Sequence, residues 1–257
     1  MLRAAGTITL TSLVAPANSS HAPPACVQAA SRSAAHRPLR LLCVRVPAGH
    51  GTAMISDPES ARAEPAEPYG IVAIAASAGG IIALGRVLGG LPGGFPVPVV
   101  VVQHLDPRHK TIIADVLGRR AKMPVVLAKE GDRAEAGTIY IAPPNHHLLV
   151  EAKGVLVLSS SELVHFLRPS ADLLFESVAG AYGPRAIACV LTGTGSDGAM
   201  GASAVKSRGG TVIVEDPALA EFKGMPEAVV AAGAVDFILP LDEIATVICG
   251  LVEANRS

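Results

Sequence analysis

The sequence has no tryptophan, and aromatic residues make up only 3% of its 257 positions, although 50% of the chain is hydrophobic. A core with so few rings must be filled by Val, Ile, Leu and Ala, the composition of strands covered by helices on both faces. No segment approaches the ~18 uninterrupted apolar residues of a membrane-spanning helix, so direct membrane insertion is not expected. A formal net charge of −1 gives no electrostatic case for nucleic acid or for an anionic membrane. Cysteine is scarce: Cys26, Cys43, Cys189 and Cys249 show no CxxC pair and no metal-ligand spacing. They read as reduced structural thiols of a cytoplasmic protein. There is no H-E-x-x-H, and His146 and His147 are adjacent rather than on one helical face, so neither a metal site nor a cofactor is expected.

Residues 1–53 lack Lys and acidic residues altogether, carrying only Arg3, Arg32, Arg37, Arg40 and Arg45 among many Ala, Pro and Ser. No hydrophobic period runs through them, which predicts no packed structure. An Arg-rich, acid-poor transit peptide fits this composition. A secretory signal fits less well, because Ile8 to Val14 is broken by Thr9, Thr11 and Ser12. The reading favoured here is translated upstream sequence, with the functional start at Met54 and a polar leader over 54–69. Arg without Lys suits GC-rich coding DNA.

From Tyr69 onward apolar strands alternate with amphipathic segments. Strands are predicted at Ile71–Ala76, Val97–Gln103, Thr138–Ala142, Ala186–Leu191, Thr211–Glu215 and Val235–Leu239. Helices are predicted at Gly79–Leu91, Thr111–Ala121, Ser170–Gly180 with Ser170 as N-cap, Asp197–Arg208, Pro226–Ala232 and Asp242–Val252. His147–Val150 and Val155–Leu158 read as a hairpin across Lys153-Gly154. Repeated βα units predict an α/β domain over 70–254: a doubly wound, mostly parallel sheet, Rossmann-like and three-layered, with the hairpin as an antiparallel addition at one edge.

In such a sheet, ligands and catalytic groups sit outside the carboxyl ends of the strands. The first strand ends at Ser77, followed by Ala78-Gly79-Gly80, a sharp turn into a helix whose free N–H groups suit an oxyanion. The second ends at His104. A later one runs into Thr192-Gly-Thr-Gly-Ser-Asp197-Gly. Serine, histidine and aspartate at three strand ends on one face have the composition of an acyl-transfer triad, whose chain order is free to vary. Each residue also has a structural explanation. Ser at a turn is usually a cap, Asp197 at a helix start is more often an N-cap, and His109, His146, His147 and His165 read as solvated or hydrogen-bonded. Asp106 is a rival orienting acid in the loop of His104.

Ser77-Ala-Gly-Gly, Gln103-His104, Leu167-Arg-Pro-Ser-Ala-Asp172-Leu-Leu-Phe, Leu191-Thr-Gly-Thr-Gly-Ser-Asp197-Gly-Ala and Gly224-Met-Pro226, in that order, resemble the chemotaxis-type protein-glutamate methylesterases, the CheB family. The resemblance covers Ile71 to Val252. It implies a cytoplasmic Ser-His-Asp esterase that hydrolyses methyl-glutamate side chains of chemoreceptors or related signalling proteins, and that in some members deamidates receptor glutamines. Motif by motif, the nucleophile falls on Ser77, the base on His104 and the orienting acid on Asp197. The oxyanion amides fall on Ala78 and Thr194. The chain departs from the family at Ala75 and Ala78, where Gly and Thr are common, at Thr194, where Met is frequent, and at Lys223, where an apolar residue is usual. The well-known architecture also carries a phosphoacceptor receiver domain ahead of the esterase. No βα units precede Ile71, so the expectation is a free-standing esterase domain, regulated by a receiver or methyltransferase partner in trans or not by phosphorylation. The alternative is a non-catalytic module that binds a methyltransferase or signalling kinase. Dinucleotide binding is disfavoured, since the first turn lacks G-x-G-x-x-G.

Overall fold

The computed structural model describes residues 68–104 and 111–254. The expectations for residues 1–53, for most of the leader, and for Asp106 and His109 lie outside the described residues. The elements run β1 (Ile71–Ala76), α1 (Gly80–Gly90), β2 (Val99–Gln103), α2 (Ile113–Gly118), β3 (Val125–Leu127), β4 (Ile139–Ile141), β5 (His147–Val150), β6 (Leu156–Ser159), α3 (Ala171–Tyr182), β7 (Ala186–Val190), α4 (Ala199–Ser207), β8 (Thr211–Glu215), α5 (Gly224–Ala231), β9 (Phe237–Leu239) and α6 (Leu241–Ala254).

β1 occupies the middle of a seven-stranded sheet of order β3-β4-β2-β1-β7-β8-β9, and every pairing in it is parallel. All six β1 side chains are inaccessible to solvent, because each face of the strand meets a helical layer. Val72, Ile74 and Ala76 pack with Leu84 and Leu88 of α1, Leu117 of α2 and Ile248 of α6. Ile71, Ala73 and Ala75 pack with Leu174 and Phe175 of α3, Val205 of α4 and Val229 of α5. Small aliphatic side chains on both faces are what a parallel sheet between two helical layers requires. The Ala75 methyl group, one of the departures from the family pattern, is absorbed into the second of these layers.

Two features differ from the sequence expectations. β3 was not foreseen: it is three residues long, half-exposed and at the sheet edge, too short to show a period. The hairpin is antiparallel, as expected, but β5 and β6 form a separate two-stranded sheet, and the edges of the main sheet are β3 and β9. Leu148, Val150 and Leu156 bury against the α3 layer, and the Val150 N–H donates to Ser177 Oγ of α3 at 3.0 Å. Its apolar face therefore finds a helix rather than a strand edge.

Candidate active site

The turn after β1 is held from below. The Ser77 N–H donates to the Thr192 carbonyl beyond β7 (3.0 Å), and the Gly80 N–H donates back to the Ser77 carbonyl (2.9 Å). Gly79, the N-cap of α1, has φ 74°, in the left-handed region that glycine adopts without a Cβ penalty. A Cβ on Gly80 would fall on Gln103 Oε1 and lie 2.7 Å from the Ala76 Cβ, so the Gly-Gly pair follows from both backbone angle and close approach. Among the described residues, the Ala78 and Thr194 N–H groups donate to no acceptor, whereas the Gly193 N–H between the two turns is used by the Phe222 carbonyl at 2.9 Å.

His104 lies directly beyond β2, its backbone N–H bonded to the Ala76 carbonyl at 3.2 Å. Its Nε2 bonds to Asp197 Oδ2 at 2.8 Å. A carboxylate only accepts, so Nε2 carries the proton and Nδ1 is the lone-pair nitrogen. Nδ1 is buried and has no hydrogen-bond partner among the described residues. His104 and Asp197 are thus joined directly. Ser77 is joined to them through the backbone: Gln103 Nε2 donates to both the Ser77 carbonyl (2.8 Å) and the His104 carbonyl (3.0 Å). No hydrogen bond links the Ser77 hydroxyl to the imidazole among the described residues.

Asp197 is almost wholly buried, and it does not cap its own helix. The N-cap of α4 is Gly198, at φ 98°, with no side-chain cap. Asp197 Oδ2 instead accepts from the Ala171 N–H (2.7 Å), while Oδ1 accepts from the Asp172 N–H (3.1 Å) and from the Ser170 hydroxyl (2.9 Å). The acid therefore sits on the N-terminus of α3, where the open amides favour negative charge. Ser170 is the N-cap of α3, as expected, accepting from the Leu173 N–H at 3.5 Å.

Burial alone would raise the Asp197 carboxyl. The hydrogen bond from His104 and those from the Ala171 and Asp172 amides outweigh it and hold the group below the ordinary carboxylate range. Asp172, also buried, moves the other way: desolvation raises it, helped by the charge of Asp197, against the Gly201 and Gly198 amides. The two shifts oppose each other in the pH dependence of stability. A depressed carboxyl stabilises the fold above its unfolded value, and that contribution is lost as pH falls through the folded value. A raised carboxyl makes folding less favourable as pH climbs from the unfolded value through the folded one. Asp172→Asn removes only the second contribution. Urea unfolding at acidic and neutral pH is expected to show a stability difference, neutral minus acidic, that is more positive in the variant than in the parent protein.

Several residues of this site received no role from the sequence. Gln103 stands in the Gln103-His104 motif and ends a valine strand, but neither shows what its side chain does. Thr192 binds the two turns together, its Oγ1 accepting from the Phe222 N–H (2.8 Å) and lying 3.1 Å from the Ala78 carbonyl. Glu215, at the buried end of β8, accepts from the Thr192 N–H at 2.7 Å, and burial raises its carboxyl. A polar residue terminating an otherwise apolar buried strand is the signal shared by Gln103 and Glu215. His147 is a structural residue, as expected: its Nδ1 accepts from the Ser170 N–H (3.1 Å) and its Nε2 contacts the Glu162 carbonyl (3.0 Å). Lys223 pairs with Glu227 at 3.1 Å on the surface.

A cleft of about 310 Å³ opens beside His104, walled by Asn145, Leu163, Phe166 and Arg168. Arg168 is braced there by Asn145 Oδ1 (2.6 Å) and by the Ser161 carbonyl (2.7 Å). No helix among the described residues is long and apolar enough to cross a membrane.

The fold is a doubly wound sheet whose central strand ends in a serine turn, with a buried His–Asp pair and two open amides at the neighbouring strand ends. The family model described as CheB methylesterase matches residues 72–248. A putative protein-glutamate methylesterase/protein-glutamine glutaminase of Leptospira interrogans is 38% identical over 187 residues, covering 73% of this chain and 97% of that protein. Protein-glutamate methylesterase/protein-glutamine glutaminase 1 of Paramagnetospirillum magneticum is 42% identical over 192 residues, and protein-glutamate methylesterase FrzG of Myxococcus xanthus 40% over 188; each match covers 73% of this chain but only 50% and 56% of those longer proteins. The crystal structure of the Thermotoga maritima CheB methylesterase catalytic domain superposes with a TM-score of 0.69 at 36% identity, over 72% of this chain and 99% of that one. The chain belongs to the CheB methylesterase family.

Proposed function

We propose that the domain hydrolyses γ-glutamyl methyl esters on chemoreceptors or related signalling proteins, giving glutamate and methanol, with Ser77 as nucleophile, His104 as base and Asp197 as orienting acid. The observation that carries the assignment of roles is the His104 Nε2–Asp197 Oδ2 bond of 2.8 Å, which leaves Nδ1 as the nitrogen able to take a proton. The glutamate methyl ester is supported by the names of the relatives and the chemoreceptor by the family resemblance; the two relatives named also as protein-glutamine glutaminases make protein glutamines candidate substrates.

Ser77 Oγ attacks the ester carbonyl carbon while its proton passes to His104 Nδ1. The carbonyl oxygen becomes an oxyanion held by the Ala78 and Thr194 N–H groups, which are free of other acceptors among the described residues. The carbon–methoxy bond then breaks, the proton on Nδ1 goes to the departing oxygen, and methanol leaves an acyl-Ser77. Water adds to that acyl group with Nδ1 again taking a proton. The carbon–Oγ bond breaks, Ser77 recovers its proton and the glutamate side chain is released. Asp197 keeps Nε2 protonated throughout and stabilises the transient imidazolium. Residues 78 and 194 act through backbone amides, so Ala78 and Thr194 can stand where the family often has Thr and Met.

The test is methanol release from receptor-containing membranes methylated beforehand with a labelled methyl donor. The full chain is expected to release labelled methanol above the buffer rate, with glutamate left at the modified positions by mass spectrometry. Absence of release would overturn the substrate assignment.

A further inference from the structure

Beside Asp197 lies a second buried carboxylate that the reaction above does not use. Asp172, in the first turn of α3, is 3% exposed. Its Oδ1 accepts from the Gly198 N–H at 2.9 Å and the Gly201 N–H at 2.8 Å, the opening amides of α4. Asp197, at the start of α4, accepts from the Ala171 and Asp172 amides of α3. The two helices exchange acids, each filling the other's open N-terminus. The exchange needs a close crossing. A Cβ on Gly201 would lie 2.7 Å from both the Asp172 carbonyl oxygen and the Phe175 Cβ.

We infer that Asp172 is a positioning residue for the catalytic acid: by clamping the Gly198 and Gly201 amides it fixes the Thr192–Gly198 turn, and with it the Asp197 carboxylate against His104 and the Thr194 amide against the reacting carbonyl. The inference rests on the role given to Asp197 in the proposed reaction. Two points of geometry support it. Gly198 directly follows Asp197, so a shift of the clamped amide moves the acid itself. α4 has no side-chain cap of its own, so nothing else at this end replaces Asp172. The remaining oxygen, Oδ2, has no hydrogen-bond partner among the described residues. It lies 3.5 Å from Nε2 of His165, in the loop that also carries Phe166 of the cleft wall. One carboxylate thus touches both the acid's turn and the wall of the cleft.

Removing the acceptor differs from removing the charge. Asp172→Ala leaves two buried N–H groups without partners, whereas Asp172→Asn keeps a carbonyl oxygen where Oδ1 stands. With methylated receptor membranes as substrate, Asp172→Ala is expected to lower kcat by about 10²-fold with KM within about threefold, since an interaction that acts on the transition state lowers kcat and kcat/KM together. Asp172→Asn is expected to recover kcat to within a few-fold. Ile248→Ala, in α6 on the opposite helical layer, supplies a comparable loss of thermal stability and should leave kcat unchanged. A second readout is independent of turnover: the imidazole Nε2–H resonance of His104, assigned by its loss in Asp197→Ala. It is expected in the parent protein and in Asp172→Asn, and shifted or lost in Asp172→Ala while the rest of the spectrum stays folded. An unchanged resonance in Asp172→Ala, a normal kcat there, or failure of Asp172→Asn to recover either readout overturns the inference. A parent protein that shows the resonance but releases no methanol overturns the substrate reading instead and leaves the clamp standing.

Discussion

Ser77→Ala is expected to abolish methanol release, lowering kcat by about 10⁶-fold, as removal of the nucleophile of a serine hydrolase does, while leaving the fold intact. The position predicts this separation. Ser77 is half-buried at the crest of the turn, and its hydroxyl holds no other part of the structure among the described residues. The turn itself is fixed by backbone bonds, from Ser77 N–H to the Thr192 carbonyl and from Gln103 Nε2 to the Ser77 carbonyl, and alanine keeps all of these. Thermal unfolding should therefore shift by no more than a surface substitution does, about 0.5 kcal/mol in either direction. Methanol release continuing at the parent rate would exclude Ser77 as the nucleophile. A large stability loss would show instead that the hydroxyl has a structural partner.

Asp197→Asn is the second large effect, and here activity and stability should fall together. Asp197 accepts four hydrogen bonds: from the Ser170 hydroxyl and Asp172 N–H on Oδ1, and from His104 Nε2 and Ala171 N–H on Oδ2. An asparagine has one accepting oxygen and one donating nitrogen. If the nitrogen replaces Oδ2, it faces the Ala171 N–H and forces His104 to present a bare Nε2. The ring proton then moves to Nδ1, and the base is lost. If it replaces Oδ1, the Asp172 N–H is left buried without an acceptor. Rotation of the amide cannot satisfy both sides. The expected outcome is a kcat loss on the order of 10⁴-fold from the wrong tautomer, with a destabilisation of about 1–3 kcal/mol from the orphaned donor. Kinetics and urea unfolding on the same preparation check both. A variant as stable and as active as the parent protein would show that Asp197 neither caps α3 nor orients His104.

What the sequence conveyed about this molecule was local in origin. The β1 run to Ser77, the valine strand to His104 and the Gly-rich turn before Asp197 were legible because each is a period followed by a break, and a doubly wound sheet puts strand ends on one face. The same logic failed for β3, whose three half-exposed residues carry no period, and for the placement of the β5–β6 hairpin, which depends on α3 offering a better surface than a strand edge. It also misdirected the simplest structural reading of Asp197. A helix-start acid is usually its own helix's cap, yet this one serves α3, whose first residue lies 26 positions earlier in the chain. Nothing within a few residues of Asp197 could reveal that partner. Gln103, Thr192 and Asp172 all stand in motifs of the resemblance, yet their roles were not legible for the same reason: their work is to bind one turn to another, and only the folded chain brings those turns together.

The exchange of acids between α3 and α4 has a consequence for how the molecule assembles. Each helix borrows an acceptor for its first turn from the other, α4 having no side-chain cap of its own and α3 adding Asp197 to its Ser170 cap, so the two are expected to form as one cooperative unit. The acid proposed to orient His104 is seated by that same pairing. The placement of Asp197 is then a property of two helices meeting rather than of the loop in which Asp197 lies.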